Sequence, residues 1–160
     1  MKVMITGHRP DRLGGYNENN TIAQRIKEEL KAQITHLLAD HPDLELITGL
    51  AQGVDTWFAE IGLENDIPVH AYIPFSGQQS RWPKAAQDRY SSLLRRCSSA
   101  KTICDHPSKK AFLERNDAMI HDCEMAIAVW DGSQNSGTGY TVRRIQKSGK
   151  SVVVLHPENI

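Results

Sequence analysis

Short apolar runs alternate along this chain with longer stretches whose apolar residues recur at helical spacing. Val3-Met4-Ile5 reads as a short buried strand. A turn-rich segment follows from Gly7 to Asn20. Ile22, Ile26, Leu30, Ile34, Leu37 and Leu38 then form one helical stripe, with Thr21 and Gln24 spaced as a capping box at its start and Pro42 beyond its end. Leu44 to Thr48 predicts a second strand, and Val54, Phe58 and Ile61 mark a helix face. The pattern continues with a strand at Val69 to Ile73 and a stripe of Ala86, Tyr90, Leu93, Leu94 and Cys97. A weak strand is expected at Thr102 to Cys104. Phe112, Asn116, Met119, Ile120 and Cys123 share one helix side, and Met125 to Trp130 is a fifth run. A last helix spans about Tyr140 to Lys147, before a strand at Ser151 to Leu155.

Strands alternating with helices predict an α/β fold: a Rossmann-like, mostly parallel sheet with helices on both faces. The runs Met125 to Trp130 and Val152 to Leu155 are continuously apolar, as expected of strands covered on both faces. The 160 residues suit one domain, 1–160, with one core.

Composition narrows the function. Lys and Arg number 19, as do Asp and Glu, so no global field attracts nucleic acid. No apolar run approaches the roughly 20 residues that cross a bilayer, and the start lacks a secretory pattern. Cys97, Cys104 and Cys123 form no CxxC, which predicts reduced thiols and a cytoplasmic setting. Neither Cys104-Asp105-His106 nor His121-Asp122-Cys123 has a zinc spacing, so no metal and no resident cofactor is expected.

In an open parallel sheet, ligands bind outside the carboxyl ends of the strands. Four segments fall there. Gly7, His8 and Arg9 follow the first strand; Gly49, Leu50, Ala51, Gln52, Gly53 and Asp55 follow the second. Pro74 and Phe75 follow the third, in a polar segment to Pro83 that reads as a ligand-covering loop and carries Arg81 and Trp82. Asp131, Gly132, Ser136, Gly137, Thr138 and Gly139 follow the fifth. Glycines let backbone amides approach an anion, and the next helix supplies free donors and a positive dipole end, so the pattern suits a phosphate. No GxxxxGK[ST] and no GxGxxG after a strand occurs, which disfavours ATP hydrolysis and ordinary NAD binding. Asp55 is placed either to cap a helix, or to hold a ribose hydroxyl or orient the loop. Arg9 is a phosphate partner or a surface charge. Asn116 falls on an apolar stripe, which points to a buried hydrogen-bonding task. Trp82 and Tyr90 either pack or stack on a base, and His8 is a lone acid–base candidate.

Four stretches together resemble the SLOG superfamily, which includes Lonely-guy enzymes, DprA and YpsA-like proteins. They are Ile5 to Pro10, Thr48 to Thr56, Ile73-Pro74-Phe75 with Ser80 to Pro83, and Arg115-Asn116 through Ala128 to Gly132 and on to Thr138. The order is that of the YpsA-like branch across nearly the whole chain. The resemblance implies a pocket for a nucleotide or nucleotide-derived ligand, such as a nucleoside phosphate or an ADP-ribose-like molecule, in a sensor or sequestering module. Gly49, Gly53, Gly137 and Thr138 would line its phosphate side, with Arg9, Asp55, Arg115 and Asn116 adding polar contacts. It also implies a homodimer or higher homo-oligomer. Lonely-guy enzymes pair an Arg with the Glu of PGGxGTxxE to release a base from nucleoside monophosphates. Arg115 matches that Arg and is the one catalytic candidate, but Thr141 stands where the Glu is expected. A hydroxyl cannot do a carboxylate's work on a ribosyl carbon. Hydrolysis of the N-glycosidic bond with another carboxylate, Asp55 or Asp131, and single-stranded DNA binding as in DprA are the alternatives.

Overall fold

Side chains on each central strand point alternately to two separate apolar clusters. Val3 and Ile5, Leu46, Val69, Ala71 and Ile73, and Ile127 and Val129 join one cluster. Met4, Ile47, Tyr72 and Ala126, their sequence neighbours, join the other. This is the two-fold period of a strand with both faces covered. A computed structural model describes residues 1–158; the last two residues of the expected 1–160 unit lie outside it.

The strands are β1 (Lys2–Gly7), β2 (Glu45–Thr48), β3 (Val69–Ile73), β4 (Ser99–Thr102), β5 (Met125–Val129) and β6 (Ser151–Leu155). The helices are α1 (Thr21–Asp40), α2 (Val54–Glu64), α3 (Lys84–Arg96), α4 (Lys109–Asp122) and α5 (Gly137–Lys147), with a 3-10 turn at Pro10–Arg12. All described strand pairs are parallel, in the order β4-β3-β2-β1-β5-β6. Ala23, Ile26, Leu30 and Ile34 of α1, Val54, Phe58 and Ile61 of α2, and Tyr90 and Leu93 of α3 pack on one face. Met119 and Ile120 of α4 and Ile145 of α5 pack on the other. The chain runs outward from β1 to β4, then returns to place β5 on the opposite side of β1. The strand order therefore reverses between β1 and β5, and a crevice opens there at the carboxyl ends.

Four local expectations change. Asn20, not Thr21, caps α1, its side chain accepting from the Ala23 amide at 2.8 Å. β4 lies at Ser99–Thr102 rather than Thr102 to Cys104, and all four residues are exposed. Pairing with β3, not burial, defines it, so hydrophobicity gave no signal. β6 is an edge strand with Val154 45% exposed, so its apolar run does not report cover on both faces. α5 starts at Gly137, three residues before Tyr140, because Ser136 caps it through the Gly139 amide at 2.9 Å.

Candidate functional site

The crevice between β1 and β5 is a cleft of about 320 Å³. Of the residues expected at a site, it is lined by Gly7, His8, Arg9, Ala51, Gln52, Asp55, Arg115, Asn116, Ser136, Gly137 and Thr138. Gly49, Leu50, Gly53, Pro74, Phe75, Arg81, Trp82, Asp131, Gly132 and Gly139 lie outside its lining. Two helices, α2 and α5, begin at its rim, so two positive dipole ends meet there.

The loop from β2 to α2 is held by its own polar groups. Thr48 Oγ1 donates to the Asp55 carbonyl at 2.9 Å and accepts from the Leu50 amide at 3.2 Å. Asp55 Oδ2 accepts from the Ala51 amide at 3.2 Å, and Thr56 Oγ1 donates to the Ala51 carbonyl at 2.8 Å. The loop amides of Leu50 and Ala51 are thus spent internally. Leu50 has φ 53°, a left-handed conformation rare for its type, with its side chain sunk in the core. Gly49 leaves space for Arg115 rather than for a ligand, since a Cβ there would meet the guanidinium. Gly53, at φ 94°, precedes α2 and is its N-cap, so Asp55 is not the cap but sits in the first turn.

Arg115 lies in α4 and is buried, with 4% exposure. Its Nη1 donates to the Gly49 carbonyl at 3.0 Å and to the Tyr72 carbonyl at 3.3 Å, and its Nε donates to Asn116 Oδ1 at 2.8 Å. Asn116 Nδ2 donates in turn to Thr141 Oγ1 at 3.1 Å, and that hydroxyl donates to the Gly137 carbonyl at 3.0 Å. Asn116 thus has a hydrogen-bonding task, but it is half-buried at the cleft wall rather than buried as expected: the relay fixes the guanidinium to the first turn of α5. Thr141 is fully buried and committed to the relay.

Burial also governs the charges. It pushes the Asp55 carboxyl above its usual range, although Arg115, Arg9 and the Ala51 amide pull the other way. It lowers Arg115 to about 10, against the pull of Asp55, so the guanidinium stays charged at neutral pH. The cleft therefore holds a carboxylate and a guanidinium that are both poorly solvated. No ion pair joins them among the described residues.

His8 acquires the partner that the sequence did not place. Its Nε2 lies 2.9 Å from Asp131 Oδ1, and its Nδ1 lies 3.3 Å from Arg12 Nη1. The Asp131 amide also points at Nε2, at 3.2 Å, so this nitrogen faces both a donor and an acceptor of Asp131 while Nδ1 faces the Arg12 donor. Asp131 is held well below the usual carboxylate range, first by Ser133 and then by His8. The cluster ties the loop after β5 to the loop after β1. Gly132, at φ 88°, turns that loop, and Gly139 leaves room for the Ser133 carbonyl, which lies 2.5 Å from where a Cβ would stand.

The segment after β3 does not cover the cleft. Pro74 is buried, and its carbonyl accepts from Cys104. Phe75 packs edge-on against Phe112 at 5.4 Å. Phe112, which the sequence places only on a helical stripe, carries Arg9 at 5.7 Å and Arg115 at 5.8 Å over its ring. Asp11 and Arg12 also line the cleft and were missed, because a 3-10 turn after Arg9 swings them back over it.

The family model described as YpsA, the YspA SLOG family, matches residues 3–155. The UPF0398 protein of Oceanobacillus iheyensis is 26% identical over 169 residues, covering 100% of this chain and 91% of that protein. The structure of DNA processing protein A (DprA) from Streptococcus pneumoniae superposes with TM-score 0.66 at 21% identity, over 96% of this chain and 49% of that one. DprA from Helicobacter pylori, whose structure is titled for its single-stranded DNA binding mode, gives TM-score 0.65 at 20% identity, over 96% and 64%. This chain thus spans about half of the first DprA and under two thirds of the second. At these identities the DprA likeness shows a shared fold. Among the described residues no helix is long and apolar enough to cross a membrane.

Proposed function

This chain belongs to the YspA SLOG family, and from that membership we propose that residues 1–160 act as one unit whose cleft binds a nucleotide or nucleotide-derived ligand, a nucleoside phosphate or ADP-ribose-like molecule, as a sensor or sequestering module. One observation carries the reading: two helix N-termini and two guanidiniums, Arg9 and Arg115, converge on one cleft at the strand-order reversal. The first turn of α5 offers the Gly137 and Thr138 amides beside open space, since a Cβ on Gly137 would meet nothing within 4 Å. Asp55 is the acceptor for a ribose hydroxyl, and an anion restores the solvation that Arg115 lacks. Calorimetry against nucleoside mono- and diphosphates, ADP-ribose and cyclic nucleotides tests the reading. Binding that weakens at least tenfold in Arg9→Ala supports it; no heat from any ligand at millimolar concentration refutes it. Light scattering on the same samples reads the expected homo-oligomer.

A second reading rests on Asp55. Of the two carboxylates considered for N-glycosidic hydrolysis, Asp131 is bound by His8 and Arg12 outside the cleft lining, whereas Asp55 lines it with its carboxyl pushed up by burial. In this reading Asp55 activates water while Arg115 holds the phosphate. Base release from a nucleoside monophosphate, abolished in Asp55→Asn, is the expected signature; its absence across the nucleotide panel removes this reading alone. Single-stranded DNA binding receives no support from the balanced charge.

A further inference from the structure

Beside the cleft runs a second groove of about 630 Å³, and Arg9 and Gln52 line both. Tyr16, Arg81 and Trp82 line the groove. Trp82 is held edge-on against Tyr90 at 5.4 Å and 88°, which fixes the indole in place. Tyr16 is 60% exposed and is one of two exposed large hydrophobic side chains among the described residues. Glu18 also reaches the groove, but Lys27 at 2.7 Å and Arg89 neutralise it. The groove thus presents two aromatic rings and two guanidiniums, Arg9 and Arg81, that form no ion pair among the described residues.

We propose that this groove is a second subsite, and that the ligand is two-ended: a dinucleotide-type molecule with one half in the cleft, its linking phosphates at Arg9, and a second planar base on Trp82 and Tyr16. The proposal rests on the nucleotide reading of the cleft and says what lies beyond it. Size argues for it. Small-molecule sites run from about 300 to 1,000 Å³, so the cleft alone sits at the lower limit while cleft and groove together reach the upper. Chemistry argues for it as well. A base has a π-face that stacks on an indole or phenol ring and on a guanidinium plane. Arg9, whose guanidinium lies over Phe112 at the junction, is the natural bridge for a diphosphate between two sugars.

Calorimetry on the full chain with three probes decides the matter: ADP, ADP-ribose, and a diadenosine diphosphate that carries two bases. The two-base probe should bind roughly tenfold or more tighter than ADP, the worth of one stacked base, with ADP-ribose near ADP. In Tyr16→Ala and in Trp82→Ala that ratio should collapse towards one. Tyr16→Ala removes an exposed ring, so the test stands even where Trp82→Ala disturbs the packing on Tyr90. A two-base probe no tighter than ADP, or a ratio that persists in both variants, overturns the second subsite and leaves the cleft reading intact. No binding of any probe overturns the cleft reading itself. Oligodeoxyadenylate that outcompetes the two-base probe, with steep salt dependence, would replace the small ligand with a nucleic acid strand and so also overturns the proposal.

Discussion

Replacing Gly49 by Ala would set a methyl group where the Arg115 guanidinium lies. The φ of Gly49 is outside the left-handed range, so the backbone accepts alanine and the whole penalty falls on the arginine. Displacement endangers the Nη1 bonds to the Gly49 and Tyr72 carbonyls at 3.0 and 3.3 Å. Hydrogen bonds from a charged donor are worth ~1.5–3 kcal/mol each, and the released guanidinium regains some water in the cleft, so the net loss is about 2–4 kcal/mol. In an Arg115→Ala background the obstructing atoms are gone. Gly49→Ala should there stabilise the protein by ~0.4–1 kcal/mol, because alanine has less freedom to lose on folding. The two effects have opposite signs, so a double-mutant cycle should show coupling of about 3 kcal/mol. Urea unfolding of the four proteins, with a common slope, measures it. Additivity within ~0.5 kcal/mol would show that Gly49 is small for some other reason, and the account of the β2–α2 loop would fall.

Three further outcomes are expected. Asp55 has its folded pKa raised, so its ionised form opposes folding: stability is fullest below the unfolded value and declines as pH rises through the folded one. Asp55→Asn should therefore raise the melting temperature at pH 7 while weakening ligand binding, and a lowered melting temperature would contradict the burial argument. Glu18 is held down to about 2 in the fold, where burial opposes and bonds to Arg89 and Lys27 prevail. Its contribution is present above its ordinary value of 4.5 and is lost as pH falls towards 2, so Glu18→Gln should flatten the acid limb of a stability–pH curve. Thr141→Glu restores the carboxylate of the Lonely-guy pattern but buries it at a fully enclosed position. Thermal and urea unfolding should report a loss of several kcal/mol, with no base released from nucleotides; a stable, active variant would mean that position 141 opens to the cleft.

Local patterns carry most of the architecture, because buried strands and amphipathic helices show their burial in their own spacing. β3 at Val69–Ile73 was legible to the residue. β4 was not, since Ser-Ala-Lys-Thr is an exposed edge held by backbone pairing alone. Of the residues lining the cleft, Gly7, Arg9 and Asp55 were legible from their places after strands, Asn116 from its place on a helix stripe, and Arg115 from the family resemblance. Phe112, Asp11 and Arg12 were not, because their role depends on where a turn and a helix end meet in space. Gly49 and Gly139 stood in the expected loops for a different reason from the one expected: each makes way for protein atoms. Trp82 was placed by its loop, but nothing in the sequence could tell that its groove would share a wall with the cleft.

The sheet divides the apolar interior unequally. Among the described residues, 24 buried residues form the cluster under α1, α2 and α3, and 8 form the one under α4 and α5. Arg115, Asn116, Gly137 and Thr138 all belong to the thinner side, while Ala51, Gln52 and Asp55 border the thicker one. Elements with fewer buried apolar partners open at lower free energy, and their amide protons exchange sooner. The cleft is thus a vice with one fixed jaw and one yielding jaw, and the bond from Arg115 to the Gly49 carbonyl acts as the pin across it, braced on the yielding side by the relay through Asn116 and Thr141 to Gly137. A molecule gripped between them would slow exchange in α4 and α5 first, so binding would be written in the kinetics of the yielding side.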